Sequence, residues 1–404
     1  MKHRILVLGA GYAGAYAAGV LARRLSAEDA EITVVNAAEH FVERMRLHQL
    51  AAGHEVEPRR LADIFAGTGI RLRLGRVTAL DPERRTVTVA DDEGGAELGY
   101  DTLFYALGSR AADHGVPGVA EHAFDVAARP AALRLRSRLD GLGEGGRVVV
   151  VGDGLTGIET ATEFAENRPG LSVTLIARGE LGERLGTGAR GHLRRACERL
   201  GITVLEHTTV ASVEAARVRC SDGTEVTSDA TVWTAGFAVG PLAAVSGLEV
   251  TGSGRIVVDR TMRSVSHPEV YAIGDAVHAV GDNGLPLPMS CGSAGYTAMQ
   301  AIEALLARLT GREVPHTKLV YTLNHISLGR RDGILQPIDA QAQGKPKYVG
   351  GRKAARIKAV IIKGSLWATA HPTFGLPKRR HRLVASSDGS TTAAAHEKAA
   401  VSRA

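Results

Sequence analysis

Two copies of one glycine pattern constrain this chain more than any other feature. The first apolar run, Ile5 to Leu8, leads at once into Gly9-x-Gly11-x-x-Gly14, and Ala15 to Leu25 suits a helix. The second run, Val148 to Val151, leads into Gly152-x-Gly154-x-x-Gly157, and Ile158 to Asn167 suits another. Strand, glycine turn and helix in that order are what a dinucleotide pyrophosphate needs. The first glycine permits the tight turn, the second lets backbone approach the phosphates, and the third lets helix pack on strand. The helix N-terminus adds free N–H groups and a positive dipole end. One such turn is often only a turn. Two in the same context predict an α/β chain with two Rossmann-like dinucleotide domains.

The length of 404 residues accommodates two or three domains with sizeable cores. A net charge of +6 suits anionic cofactors, nucleic acid or anionic lipid. Its partial concentration near the C-terminus favours a mere solubility setting, and neither aromatic interleaving nor a nucleic-acid motif supports nucleic acid. Cys197, Cys220 and Cys291 are far apart and form no C-x-x-C pair. That argues against a redox-active vicinal disulfide or a metal site and for reduced thiols in the cytoplasm. No signal peptide is visible, and no apolar run reaches the ~18–20 residues of a membrane span.

Taken in order, the first βαβ unit closes at Glu31 to Val35, where a ribose-binding Asp or Glu is expected; the chain has Asn36, with Glu39 nearby. The segment His40 to Gly53 reads either as a solvated helix or as one lying along a cofactor, with Arg44 or Arg46 at its phosphates or ring. Arg71 to Leu80 and Arg85 to Ala90 read as strands. Thr102 to Ser109 is an apolar strand ending in small residues that let a ligand approach.

After the second glycine turn, Ser172 to Ile176 is a strand whose acidic position is occupied by Ala177, followed by Arg178. A missing carboxylate and a gained Arg suit a 2′-phosphate, which favours NADPH over NADH; Arg184 and Arg190 are potential helpers. Trp233 faces either the core or a nicotinamide. Asp275, after a buried strand and Gly274, either caps a helix or accepts from a cofactor hydroxyl. Ser293 to Leu309 is a helix. Leu319 to Leu328 and Ile334 to Ile338 read as strands of a smaller α+β unit. Arg352 to Ala370 reads as an amphipathic helix with Ile357, Val360, Ile361, Trp367 and Ala368 on one side and Lys358 and Lys363 on another. It packs on its own domain or lies on a membrane surface. The basic run Lys378 to Arg382 follows, and the tail from Ala385 lacks core-forming residues and is expected to be disordered.

The motifs GAGYAG, ALGS, GDGLTGIE, WTAGF and YAIGDA, in this order between Arg4 and about Leu309, resemble the two-dinucleotide-domain flavoproteins that include the pyridine nucleotide-disulfide oxidoreductases. Within them the chain most resembles the type II NADH dehydrogenases. The resemblance implies a split FAD domain (1–115 and 255–316), an inserted NAD(P)H domain (116–254), a C-terminal domain (317–383) that often makes a homodimer, and a tail (384–404). It implies that Gly9, Gly11 and Gly14 hold the FAD pyrophosphate, that Asn36 takes the ribose and that Asp275 meets the ribityl chain. Ala13, Ala37, Arg44, Val77, Ala106, Gly108 and Ala294 would complete the FAD wall. Gly152, Gly154, Gly157 and Arg178 would hold NAD(P)H, and Glu159 and Gly236 would lie near nicotinamide and flavin.

Without a C-x-x-C, a disulfide reductase is not expected. The glutamine-rich A-Q-x-x-x-Q-Q stretch of the type II enzymes is replaced by Cys291-Gly292 and Tyr296-Thr297, which makes Cys291 and Tyr296 candidates for the chemistry. The expected activity is hydride transfer from NADPH or NADH to FAD, then electron transfer to a small-molecule acceptor. That acceptor is left open between a quinone and an organic substrate of a biosynthetic pathway, with a ferredoxin-like carrier as a third choice. A different class is a flavoprotein that senses NAD(P)H and binds a partner. The expected location is cytoplasmic, with room for contact at the inner membrane face.

Overall fold

A computed structural model describes residues 1–91, 94–371 and 381–383. Two five-stranded parallel sheets organise it. In the first, His3–Leu8 is central, with Thr102–Tyr105 and then Val270–Ala272 on one side and Ala30–Asn36 and then Arg71–Leu74 on the other. In the second, Arg147–Val151 lies between Ala230–Trp233 and Ser172–Ile176, with Ala123–Phe124 and Thr203–Leu205 at the edges. Each glycine turn therefore follows a central strand. Such strands are covered on both faces, which is why Ile5–Leu8 and Val148–Val151 are unbroken apolar runs rather than alternating ones.

The strand Val270–Ala272 joins a sheet begun more than a domain earlier, so the first nucleotide unit is split around the second, as expected. A short antiparallel pair, Ser109–Ala111 with Phe237–Val239, ties the two crossings together. The first helix, Tyr12–Arg24, buries Ala13, Gly14, Ala15, Ala17 and Ala18. Small side chains there let it lie close to its strand and to the long helix Cys291–Thr310, which buries Ala294, Ala298 and Ala301 in return.

Three expectations need correction. Arg71 to Leu80 is two strands in two sheets, Arg71–Leu74 and Arg76–Asp81, divided at Gly75, where a Cβ would run into Val89. Leu319 to Leu328 is strand only from Leu323. It pairs with Gly333–Pro337, which pairs with Val349–Gly350, and the helix Gly351–Ala370 packs across this small sheet. On that helix Lys358 does not share the solvent side with Lys363. It is 5% exposed, whereas Ile357 is 45%, Val360 69% and Trp367 46% exposed. The tail from 384 and most of the basic run Lys378 to Arg382 lie outside the described residues.

Candidate active site

A cleft of about 1350 Å³ runs between the two nucleotide units and reaches the C-terminal unit. Its first end is the Gly9 turn. Gly9 has φ +95°, and a Cβ there would meet the Ala106 carbonyl; a Cβ on Gly14 would run into the carbonyl of Gly9. These two glycines shape the turn from behind, whereas Gly11 borders the cleft with nothing within 4 Å of where its Cβ would stand. The helix behind it has no side-chain cap, so its first N–H groups are left for a ligand. Ala13, Arg44, Ala106, Gly108, Asp275 and Ala294 also line this end.

Asn36 plays a different part. Its Oδ1 accepts from Ala10 N at 2.9 Å and its Nδ2 donates to the Ala38 carbonyl at 2.7 Å, so the amide braces the glycine turn. Asn36, the exposed Ala37 and Val77 do not border the cleft; Val77 packs on the core from the antiparallel sheet. Asp275 is not a helix cap. Its Oδ2 accepts from Ser109 Oγ at 2.6 Å and from Arg44 Nη1 at 3.1 Å, and the Arg44 guanidinium lies over the Phe237 ring. Three distant segments are thereby pinned together, and Asp275 Oδ1 keeps no hydrogen bond among the described residues.

The second turn repeats the plan. Gly152 has φ +108°, Gly157 packs against its carbonyl, and Gly154 faces open cleft before the helix Leu155–Asn167, again without a side-chain cap. Arg178 and Arg184 are exposed on the cleft wall and make no ion pair among the described residues. Asp153 and Glu183 line the same stretch. Burial, then the charge of Glu183, raises the Asp153 carboxyl above its ordinary range. Arg190 is committed to Glu180 at 2.7 Å and does not border the cleft. Trp233 is buried and also borders the cleft, with its indole N–H donating to the Ala112 carbonyl at 2.6 Å.

The two ends meet at the N-terminus of helix Cys291–Thr310, capped by Ser290 Oγ accepting from Ser293 N at 3.1 Å. Cys291 borders the cleft, and burial pushes its thiol up to about 12. A thiol held neutral in this way is no nucleophile. Tyr296 is 37% exposed and does not border the cleft. Glu159 and Gly236 both border the cleft.

Glu159, a candidate from the sequence, has a partner that the sequence did not suggest. Lys358 Nζ donates to Glu159 Oε1 and, at 3.1 Å, to the His325 carbonyl, while Glu159 Oε1 also accepts from Ser327 N at 3.0 Å. Burial pulls the Lys358 ammonium down to about 7. His48 and His325 line the same wall, both lowered chiefly by burial, His48 to about 3. The buried atoms His48 Nε2, His325 Nδ1 and Tyr12 Oη have no hydrogen-bond partner among the described residues. Nothing in the sequence separates Lys358 from its solvent-facing neighbours, since the pairing is made by tertiary structure.

Two glycine cradles, two uncapped helix N-termini, a half-satisfied Asp275 and unpartnered polar atoms where they converge fit a flavin dinucleotide at the first turn and a nicotinamide dinucleotide at the second. Comparisons agree. Residues 3–306 match the family model of the pyridine nucleotide-disulphide oxidoreductases. An NADH dehydrogenase-like protein of Mycobacterium tuberculosis is 32% identical over 313 residues, covering 71% of this chain and 76% of that one. A type II NADH:quinone oxidoreductase of the same organism is 26% identical over 328 residues, 70% and 68% of the two chains. The structure of NDH2 from Plasmodium falciparum in complex with NADH shares the fold, with a TM-score of 0.77 at 15% identity over 93% of this chain and 97% of that one. The chain therefore belongs to the pyridine nucleotide-disulphide oxidoreductase family, as an FAD-dependent NAD(P)H oxidoreductase of the NADH dehydrogenase-like kind.

Proposed function

We propose that the protein is an NADPH-preferring NAD(P)H:quinone oxidoreductase. The observation that carries this reading is the single cleft in which both glycine turns converge on a buried, proton-carrying pair, Glu159 and Lys358. FAD, when bound at the first turn, would supply two-electron redox chemistry between the nicotinamide and the acceptor. The chain's own residues orient and protonate. The Gly11 and Gly154 turns set the two pyrophosphates, and the Arg44–Ser109–Asp275 cluster holds a carboxylate toward the flavin side chain. Arg178, with Arg184, meets a 2′-phosphate. Lys358, easily deprotonated in its buried setting, hands a proton to the reduced acceptor and regains one through Glu159.

A quinone suits the site better than a disulfide or a thiol-dependent reaction, because Cys291 is held neutral and stands alone. The similarity to the type II NADH:quinone oxidoreductase of Mycobacterium tuberculosis supports the same acceptor. Among the described residues no helix is long and apolar enough to cross a membrane. Exposed Ile357, Val360 and Trp367, flanked by exposed Arg352, Lys353, Arg356 and Lys363, suit peripheral contact with an anionic lipid surface. Sedimentation with anionic vesicles, lost in the Val360→Ser/Trp367→Ser variant, tests that contact.

The function itself is tested by anaerobic incubation of the flavin-loaded protein with NADPH and a water-soluble ubiquinone or menaquinone analogue. One quinol per NADPH consumed supports the reading. Oxidation of NADPH only by oxygen, with no quinol, removes it.

A further inference from the structure

Behind the Glu159–Lys358 pair lies a second buried ionisable cluster. Glu163 follows Glu159 by four positions on the helix Leu155–Asn167, so the two carboxyls share a face one turn apart. The Glu163 side chain is fully buried. Its Oε1 is 2.7 Å from His54 Nε2, and the His54 ring is 31% exposed. Among the described residues its Oε2 has no hydrogen-bond partner, and Arg330 Nη1 is 4.0 Å away. His48 is 3% exposed, borders the cleft together with Glu159 and Lys358, and its Nε2 has no hydrogen-bond partner among the described residues. His48 and His54 come from the first nucleotide unit, Glu163 from the second, and Lys358 and Arg330 from the C-terminal unit.

A strut between domains would be made of apolar contacts or of fully satisfied ion pairs, because an unpaired buried acceptor costs about 1–3 kcal/mol. Here a partly exposed imidazole bonds a fully buried carboxyl that has one free oxygen among the described residues, and a buried imidazole with one free nitrogen borders the cleft. We propose that His54, Glu163 and His48 form a proton relay from solvent to the Glu159–Lys358 pair. This rests on the reading of the cleft as an NAD(P)H:quinone site.

The reaction requires such a supply. In NAD(P)H + H⁺ + quinone → NAD(P)⁺ + quinol, the nicotinamide C–H bond breaks and leaves with both electrons. The quinone gains two electrons and two protons as both carbonyls become hydroxyls. One proton enters with the hydride, and the other comes from solvent on every turnover. His54 receives it at the surface and Glu163 takes it in. The unpaired Glu163 Oε2 and His48 Nε2 are where bridging waters are held. Neutral His48 passes the proton on by accepting at one nitrogen and releasing at the other.

The surrounding charges suit this. Glu163 faces His54, Arg330 and Glu166, and burial raises its carboxyl despite the two basic neighbours. His48 faces Lys358, Arg330, His54 and Arg46, and burial followed by the Lys358 charge keeps it neutral.

The test compares wild type with Glu163→Gln and, independently, His54→Gln, each checked for flavin content. Flavin reduction by NADPH takes up no solvent proton and is expected to stay within about twofold. Quinone turnover is expected to fall about tenfold near neutral pH, with a larger solvent deuterium effect and partial recovery in acid. In the flavin-free protein, the infrared band of a protonated carboxyl in wild type is expected to vanish in Glu163→Gln. Unchanged turnover and pH profile, equal slowing of both half-reactions, or no band lost would overturn the relay. If wild type itself makes no quinol, the proposed function falls and the relay with it. If wild type makes quinol and the variants match it, only the relay falls.

Discussion

The ammonium of Lys358 donates to the carboxylate of Glu159, across 199 positions of sequence and between two different units of the fold. The helix bearing Glu159 starts at the second glycine turn, and the helix bearing Lys358 covers the C-terminal sheet. This pair thus joins the nucleotide end of the cleft to its acceptor end. Ser327 N and the His325 carbonyl complete the network. Breaking one half leaves a buried charge without its partner. Lys358→Met should cost about 3–5 kcal/mol in denaturant unfolding, and Glu159→Gln/Lys358→Met should recover most of it. Equal stability of the single and double variants would mean the pair carries no such coupling.

The same lysine sets a pH limit. It donates only while protonated, and burial lowers it to about 7 from the ordinary range near 10.5. The donating form is present below that value and is lost as pH rises through it. Quinone turnover should therefore decline on the alkaline side of about pH 7, whereas flavin reduction by the nicotinamide should not follow that limb. A flat turnover profile from pH 6 to about 9 would exclude Lys358 as the donor.

Gly14→Ala probes the first cradle. The added Cβ would run into the Gly9 carbonyl and crowd Ala106, so helix and turn would have to separate. The variant is expected to purify with little flavin, read as the ratio of visible to protein absorbance. Gly11→Ala meets nothing in the protein and should keep its stability, losing flavin affinity only through the ligand.

Much of this was legible in the sequence, for identifiable reasons. A glycine turn encodes its function locally, so Gly9, Gly11, Gly14 and their counterparts announced two nucleotide sites and central buried strands. Arg178, picked by its offset from a strand end, borders the cleft, and so does Asp275, whose partners Arg44 and Ser109 converge on it only in three dimensions. Lys358 misled, because helix periodicity groups lysines with solvent unless a buried acid such as Glu159 waits opposite. Asn36 looked like a ribose contact by position, yet its amide also matches the backbone of the neighbouring turn, and it is spent there. Tyr296 stood out by residue type, but of the start of its helix it is Cys291, Gly292 and Ala294 that border the cleft.

The most direct measurement is anaerobic stopped-flow reduction of the bound flavin by NADPH and NADH, in wild type and in Arg178→Glu. Rapid bleaching with NADPH, slower bleaching with NADH, and a ~10–100-fold weaker NADPH dependence in the variant are the predicted results, the last reflecting one lost charge-assisted pair. Absence of flavin reduction by either nucleotide would contradict the account at its centre. A preference for NADH, unaltered by Arg178→Glu, would contradict the assignment of the 2′-phosphate.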